Sequence, residues 1–213
     1  MDIINWLQIV LICILGAISP GPSLAAVISN TTSSGRFFGV TTGIGHGIGI
    51  TLWASITAVG ISEMIVNNPN LLATAQLLGA CLLGYIGYRT IGTSITFEKN
   101  LASTANPHLA RGLSEGFMIA LLNPKIALFF LAIFSQFIIP DSNWVDTAIM
   151  GITAGVIDAG WYILVAIVIS RALMPKVMQR KSLIIAKING VLLILISLYL
   201  LIITFTRVAE NYL

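Results

Sequence analysis

The chain predicts an all-α membrane protein. Six transmembrane helices form two inverted three-helix repeats, and the first helix of each repeat is broken at a proline motif. Three observations lead there. Of the 213 residues, 57% are hydrophobic and only 9% charged, whereas a soluble domain carries about 25% charged residues. The apolar residues fall into six blocks long enough to cross a bilayer. Two of those blocks, ILGAISPGPSLAAVIS and IALLNPKIALFFLAIF, are interrupted near the middle by a polar residue followed by proline.

The six blocks run over roughly 3–29, 39–66, 70–93, 112–138, 145–170 and 183–206. The first lacks a basic n-region, carrying Asp2 instead, and exceeds the apolar core of a signal peptide, so it reads as a retained span. Short connectors (TTSSGR, NNPN, PDSNW) separate most blocks, and the longest connector divides the chain in two. The whole of 1–213 is then one transmembrane domain: repeat one at about 1–93, a cytoplasmic loop at about 94–111, and repeat two at about 112–213. Three crossings per half insert the second half upside down relative to the first. Ser19-Pro20 corresponds to Asn123-Pro124, Gly43/Gly47 to Gly151/Gly155, and Gly79 to Gly190.

Basic residues orient the chain. Arg36, Arg89, Lys99, Arg111 and Arg171 fall in odd-numbered connectors, while NNPN and PDSNWVD carry none. The positive-inside rule places both termini outside the cytoplasm. The net charge of +3 is small and indicates no nucleic-acid partner. Cys13 and Cys81 lie in apolar runs without CxxC spacing and read as small buried side chains.

Proline within a helix removes a hydrogen bond, and in lipid such a break is tolerated only where protein or a wet cavity surrounds it. Ser19-Pro20 and Asn123-Pro124 also have the grammar of a helix start: a polar N-cap, then proline at the first helical position. Gly21 and Pro22 alter the first break further. Two half-helices beginning near mid-depth and running in opposite directions would point their N-termini at one place. Each such end carries about half a positive charge and unpaired N–H groups, which suits a carboxylate. From the prolines alone, two packing kinks are an equal alternative.

Charged residues add to the picture. Lys125 follows the second break directly and Asp158 lies near the centre of the fifth block, where an unpaired charge costs on the order of 3 kcal/mol or more. Lys125 and Asp158 either serve a substrate's carboxylate and its ammonium or a proton, or pair as a structural salt bridge. His46, in GVTTGIGHGIGI, suits proton coupling or a packing role among glycines. Gly39, Gly43 and Gly47 make one stripe and Gly45 and Gly49 another, as in close helix contacts. Trp161, one turn from Asp158, is expected to line the same cavity. Glu115 reads as a solvated end residue, and Gln136 equally as a cap or a ligand.

The chain resembles the lysine exporter/homoserine–threonine resistance (LysE/RhtB) family of amino-acid efflux permeases. The likeness spans nearly the whole length and is carried by SPGPS, SSGRFFGVTTGIG, QLLGACLLGYIGYRTI and ARGLSEGFMIALLNPKIALFFLAIFSQF. The family pattern usually has Asn after PGP, where Ser23 stands here, and Ala after NPK, where Ile126 stands. The first departure bears on substrate choice. The resemblance implies a secondary transporter in the bacterial inner membrane that exports amino acids or close derivatives, driven by protons, with no cofactor. A homodimer is compatible with it. Carried over by motif, the functional positions are Ser19, Pro20, Gly21, Pro22, Asn123, Pro124 and Lys125; Asp158 is added from its depth and charge.

Two other classes fit less well. A divalent-metal transporter of related architecture needs several hard oxygen or imidazole ligands, and only Asp158 and His46 lie deep. No metal site is therefore expected. An enzyme or thiol relay finds no HExxH, no Ser-His-Asp elements in a workable membrane arrangement, and no cysteine beside either break.

Overall fold

A computed structural model describes residues 2–67, 69–93, 109–137, 144–169 and 174–212. The central loop with Lys99, and Asp141 and Arg171 with their neighbours, lie outside the described residues. The described chain is all-helical: α1 (Ile3–Ile18), α2 (Pro22–Ser34), α3 (Arg36–Asn67), α4 (Pro69–Ile91), α5 (Leu109–Leu121), α6 (Pro124–Phe137), α7 (Trp144–Ile169) and α8 (Met174–Tyr212).

Helix α7 and residues Ser182–Thr206 of α8 are long and apolar enough to cross a membrane, and each of the pairs α1/α2 and α5/α6 meets the same test when taken together. Helices α3 and α4, of 32 and 23 residues, are also long enough at about 1.5 Å per residue against a core of ~30 Å. Large apolar side chains such as Leu78, Ile152, Val156 and Ile202 face outward. Ser19, Thr42, His46, Asp158 and Asn189 are buried. This reversal of the water-soluble pattern is what a lipid solvent selects.

Both breaks are real. The helix axis turns by 59° between α1 and α2 and by 60° between α5 and α6. The second break follows the sequence reading: Pro124 opens α6, and the Asn123 side-chain oxygen accepts the Lys125 N–H at 3.0 Å. The first does not. Ser19 closes α1 rather than opening a helix, and α2 starts two residues late, at Pro22 with Gly21 as N-cap. The cause is the doubled proline. A residue before proline is pushed out of the helical region, so Ser19 (ψ 118°) and Gly21 (φ −173°) are both extended.

Glycines set how closely the helices approach. On α3, Gly43 meets Tyr162 and Ile163 of α7, while Gly47 meets Ala159 and the Gly155 carbonyl. Gly45 and Gly49, on the other stripe, face α5 at Leu113, Phe117 and Ala120. Both stripes therefore serve close packing. Gly87 of α4 and Gly190 of α8 oppose one another, and Gly79 of α4 faces Ala132 and Ser135 of α6. Between α2 and α3, Gly35 adopts φ +92°, a conformation open mainly to glycine. Apolar packing around Ile9, Phe130, Phe134, Met150 and Leu193 fills the centre, and a smaller cluster joins α2 to α7. Cys13 is buried as expected, but Cys81 is exposed.

Candidate functional site

The site begins with what the two breaks leave unmade. Each helix end loses intrahelical partners for its carbonyls, and each new helix start presents N–H groups without partners in the same helix. At the first break the Ser19 N–H still reaches the Leu15 and Gly16 carbonyls at 3.1 and 3.2 Å, and Asn189 of α8 adds a second donor to Leu15 at 2.9 Å. Trp53 of α3 donates to the Leu121 carbonyl at 3.0 Å, beside the second break.

The breaks are also tied to each other. The Lys125 ammonium donates to Ser19 Oγ at 2.6 Å, and the Asn123 amide donates to Ser23 Oγ at 3.0 Å. Residues a hundred positions apart are thus brought together, and the two helix starts, Pro22 and Pro124, flank one place. A cavity of about 60 Å³ opens there, lined by Ser19, Gly21, Pro22, Ser23, Asn123 and Lys125 from the breaks and by His46 and Asp158 from α3 and α7. Pro20 and Pro124 line an adjoining cavity instead.

Opposite the breaks, His46 Nδ1 and an Asp158 carboxylate oxygen lie 2.6 Å apart. Both are nearly sealed from solvent, at 1% and 6% exposure. The His46 ring packs edge-on against Tyr162, with centroids 4.7 Å apart. Its other nitrogen, Nε2, is buried without a hydrogen-bond partner. Lys125 and Asp158 therefore line the same cavity without pairing with each other: Lys125 holds Ser19, and Asp158 holds His46. Apolar walls complete the space, chiefly Ile50, Ile126, Phe129, Phe130 and Leu193.

A model of the LysE type translocator family matches residues 14–204. The chain belongs to the LysE type translocator family. It is 29% identical to an uncharacterized membrane protein of Vibrio cholerae over 75% of this chain and 78% of that protein. It is 28% identical to the threonine efflux protein of Escherichia coli K12 over 82% of this chain and 86% of that one. To the leucine efflux protein of Salmonella choleraesuis it is 25% identical, over 64% of each. No solved structure matches the chain. Members of this translocator family are transporters rather than enzymes.

Within the translocator, Ser19, Gly21, Pro22, Ser23 and Asn123 from the breaks are gathered with Lys125, His46 and Asp158 at one cavity, without Pro20 and Pro124. Trp161 is not part of it. Three residues beyond Asp158 on α7, it turns toward α2 and packs against the Leu24 and Ile28 cluster, with its ring N–H buried and unpartnered. Gln136 does not line the cavity; it donates to the Gln76 carbonyl of α4 at 2.6 Å. Glu115 accepts from Asn30 at 3.0 Å and from Arg111 at 2.8 Å, linking α2 to α5. Among the described residues, no three His, Cys, Asp or Glu side chains cluster as metal ligands.

Sequence reasoning missed Asn189 and Trp53 as partners of the broken helices. The signal for Asn189 was present, since it is the only amide in the long apolar run SLIIAKINGVLLILIS. The lining brings together a cation, two helix starts, a carboxylate and apolar surface at one cavity.

Proposed function

We propose that the chain is a six-span secondary transporter that exports amino acids from the cytoplasm in exchange for protons. It would occupy the bacterial inner membrane, with both termini periplasmic and the two halves related as inverted repeats. The observation that carries this reading is the convergence of both helix breaks on the cavity that Lys125, His46 and Asp158 line. Two relatives named for threonine and leucine efflux support the substrate class. The inverted arrangement draws support from the matching bends and from the packing of α3 on α7 and α4 on α8 across the halves. Arg36, Arg89 and Arg111 support the orientation.

In this mechanism the substrate carboxylate displaces Ser19 from Lys125 and sits against the starts of α2 and α6. Its ammonium competes with His46 for Asp158. A proton arriving on the His46–Asp158 pair from outside occupies the same acceptor, so ammonium and proton exclude one another. That competition is antiport: the proton leaves to the cytoplasm as the next substrate binds. The side chain rests on Phe129, Phe130 and Ile126. In a low-dielectric cavity each of these charge contacts is far stronger than in water.

Everted membrane vesicles, which expose the cytoplasmic face, test the proposal. Vesicles holding the protein should take up neutral amino acids, faster when their interior is acidified. No uptake of any amino acid across a full panel, with or without a pH gradient, would overturn it.

A further inference from the structure

Beside the cavity described above lies a larger one of about 300 Å³, walled on one side by Tyr85, Arg89, Thr90 and Thr93 at the end of α4. The two cavities share Gly21, Pro22, Ile86 and Lys125, so they meet at the first break. Apart from Lys125, Arg89 is the one charged residue lining the outer cavity. Among the described residues no carboxylate neutralises it. Thr90 and Thr93 spend their hydroxyl protons on the Ile86 and Arg89 carbonyls. The guanidinium is therefore the strong donor this space offers an anion, and its fork matches a carboxylate.

Gly21 supplies an independent observation. Its φ of −173° is ordinary extended backbone that any residue adopts. A methyl group there would come no closer than 3.8 Å to Lys125 Nζ. Neither a positive φ nor a close contact requires glycine at this N-cap position. A side chain there would extend into the lining that the two cavities share.

We propose that the outer cavity is a second binding station for the transported amino acid's carboxylate, anchored by Arg89 and joined to Lys125 through a neck at Gly21. This rests on the transport reading above. On the proposed orientation the outer station faces the cytoplasm, so substrate meets Arg89 first. It passes the neck when Lys125 exchanges Ser19 for the carboxylate.

Uptake kinetics in everted vesicles test it. Arg89→Gln should raise KM by roughly five-fold, the worth of a solvent-accessible ion pair, with maximal rate kept. Arg89→Lys should recover most of that loss. Inhibition by an N-acetyl amino acid, which keeps the carboxylate, should weaken in Arg89→Gln. Inhibition by an amino-acid amide, which lacks it, should not. Gly21→Leu should insert normally yet lose most of its maximal rate, and a retained rate would overturn the neck. Normal wild-type uptake with an unchanged KM in Arg89→Gln would overturn the outer station alone. Absence of wild-type uptake would overturn the transport reading and the outer station with it.

Discussion

At the residue scale the account turns on which partner each buried charge has. Lys125 is held by a neutral hydroxyl at 2.6 Å, while Asp158 is held by an imidazole. A cation whose only named partner is a serine remains available to an incoming anion, whereas one in an ion pair with Asp158 would be neutralised. We therefore expect Lys125→Ala and Asp158→Asn each to abolish uptake while the protein still inserts, as checked by vesicle assay alongside membrane quantitation. Wild-type rates in both would remove them from the site. The sequence showed that these two charges were deep, because their blocks are long and apolar. It did not show the pairing. Partner choice between helices depends on how each is rotated about its axis, and His46 is aimed at α7 by glycines that let α3 lie close to it. Trp161 lies three residues past Asp158, which falls short of a full turn by roughly 60°, and that offset turns it toward α2.

At the element scale the question is how a membrane helix survives being broken. Proline's steric rule is local and hard, so the existence of both breaks was legible from sequence. The second was placed to the residue. The first was misplaced by two because two prolines each expel the preceding residue from the helix, which moves the restart to Pro22. What the sequence did not reveal was the repair. Trp53 arrives from a helix distant in the chain to meet the Leu121 carbonyl, and Asn189 adds a second donor to the Leu15 carbonyl that the Ser19 N–H already serves. The Lys125 N–H, which would have served Leu121 in an unbroken helix, is taken by the Asn123 side chain. Trp53→Phe keeps an aromatic six-membered ring but removes the indole N–H, leaving the Leu121 carbonyl without that donor. Interhelical hydrogen bonds in membranes average about 0.6 kcal/mol and reach about 1.7 kcal/mol. Thermal unfolding in detergent should show a loss in that range, and an unchanged midpoint would mean the contact does not support the break.

At the scale of the whole molecule, the pairs α3–α7 and α4–α8 cross between the halves, and the bent pairs bring their break points together between them. The proposed inverted repeats would account for this pairing. Its glycine contacts were readable in part. The stripes on α3 do the packing assigned to them, whereas the contact between Gly87 and Gly190 was not anticipated. Spacing along one helix cannot fix its register against another. Rocking one half against the other would open and close the cavity from alternate sides, and the smooth α3–α7 contact is where that motion would pass. Gly47→Leu places bulk against the Gly155 carbonyl and Ala159. We expect it to stop transport and to lower thermal stability, read in the same vesicles and in detergent; full activity would show that this contact neither packs nor moves.

The claim on which all three scales depend is that both broken helices meet at one cavity and that an amino acid occupies it. Ser23→Cys places a thiol in the cavity wall, while Cys81, exposed and absent from that wall, serves as an internal control. The rate of labelling by a small thiol reagent is read at each site by mass spectrometry. The account predicts that a transported amino acid slows labelling at position 23 and leaves Cys81 unaffected. Labelling at position 23 that no amino acid alters would contradict it.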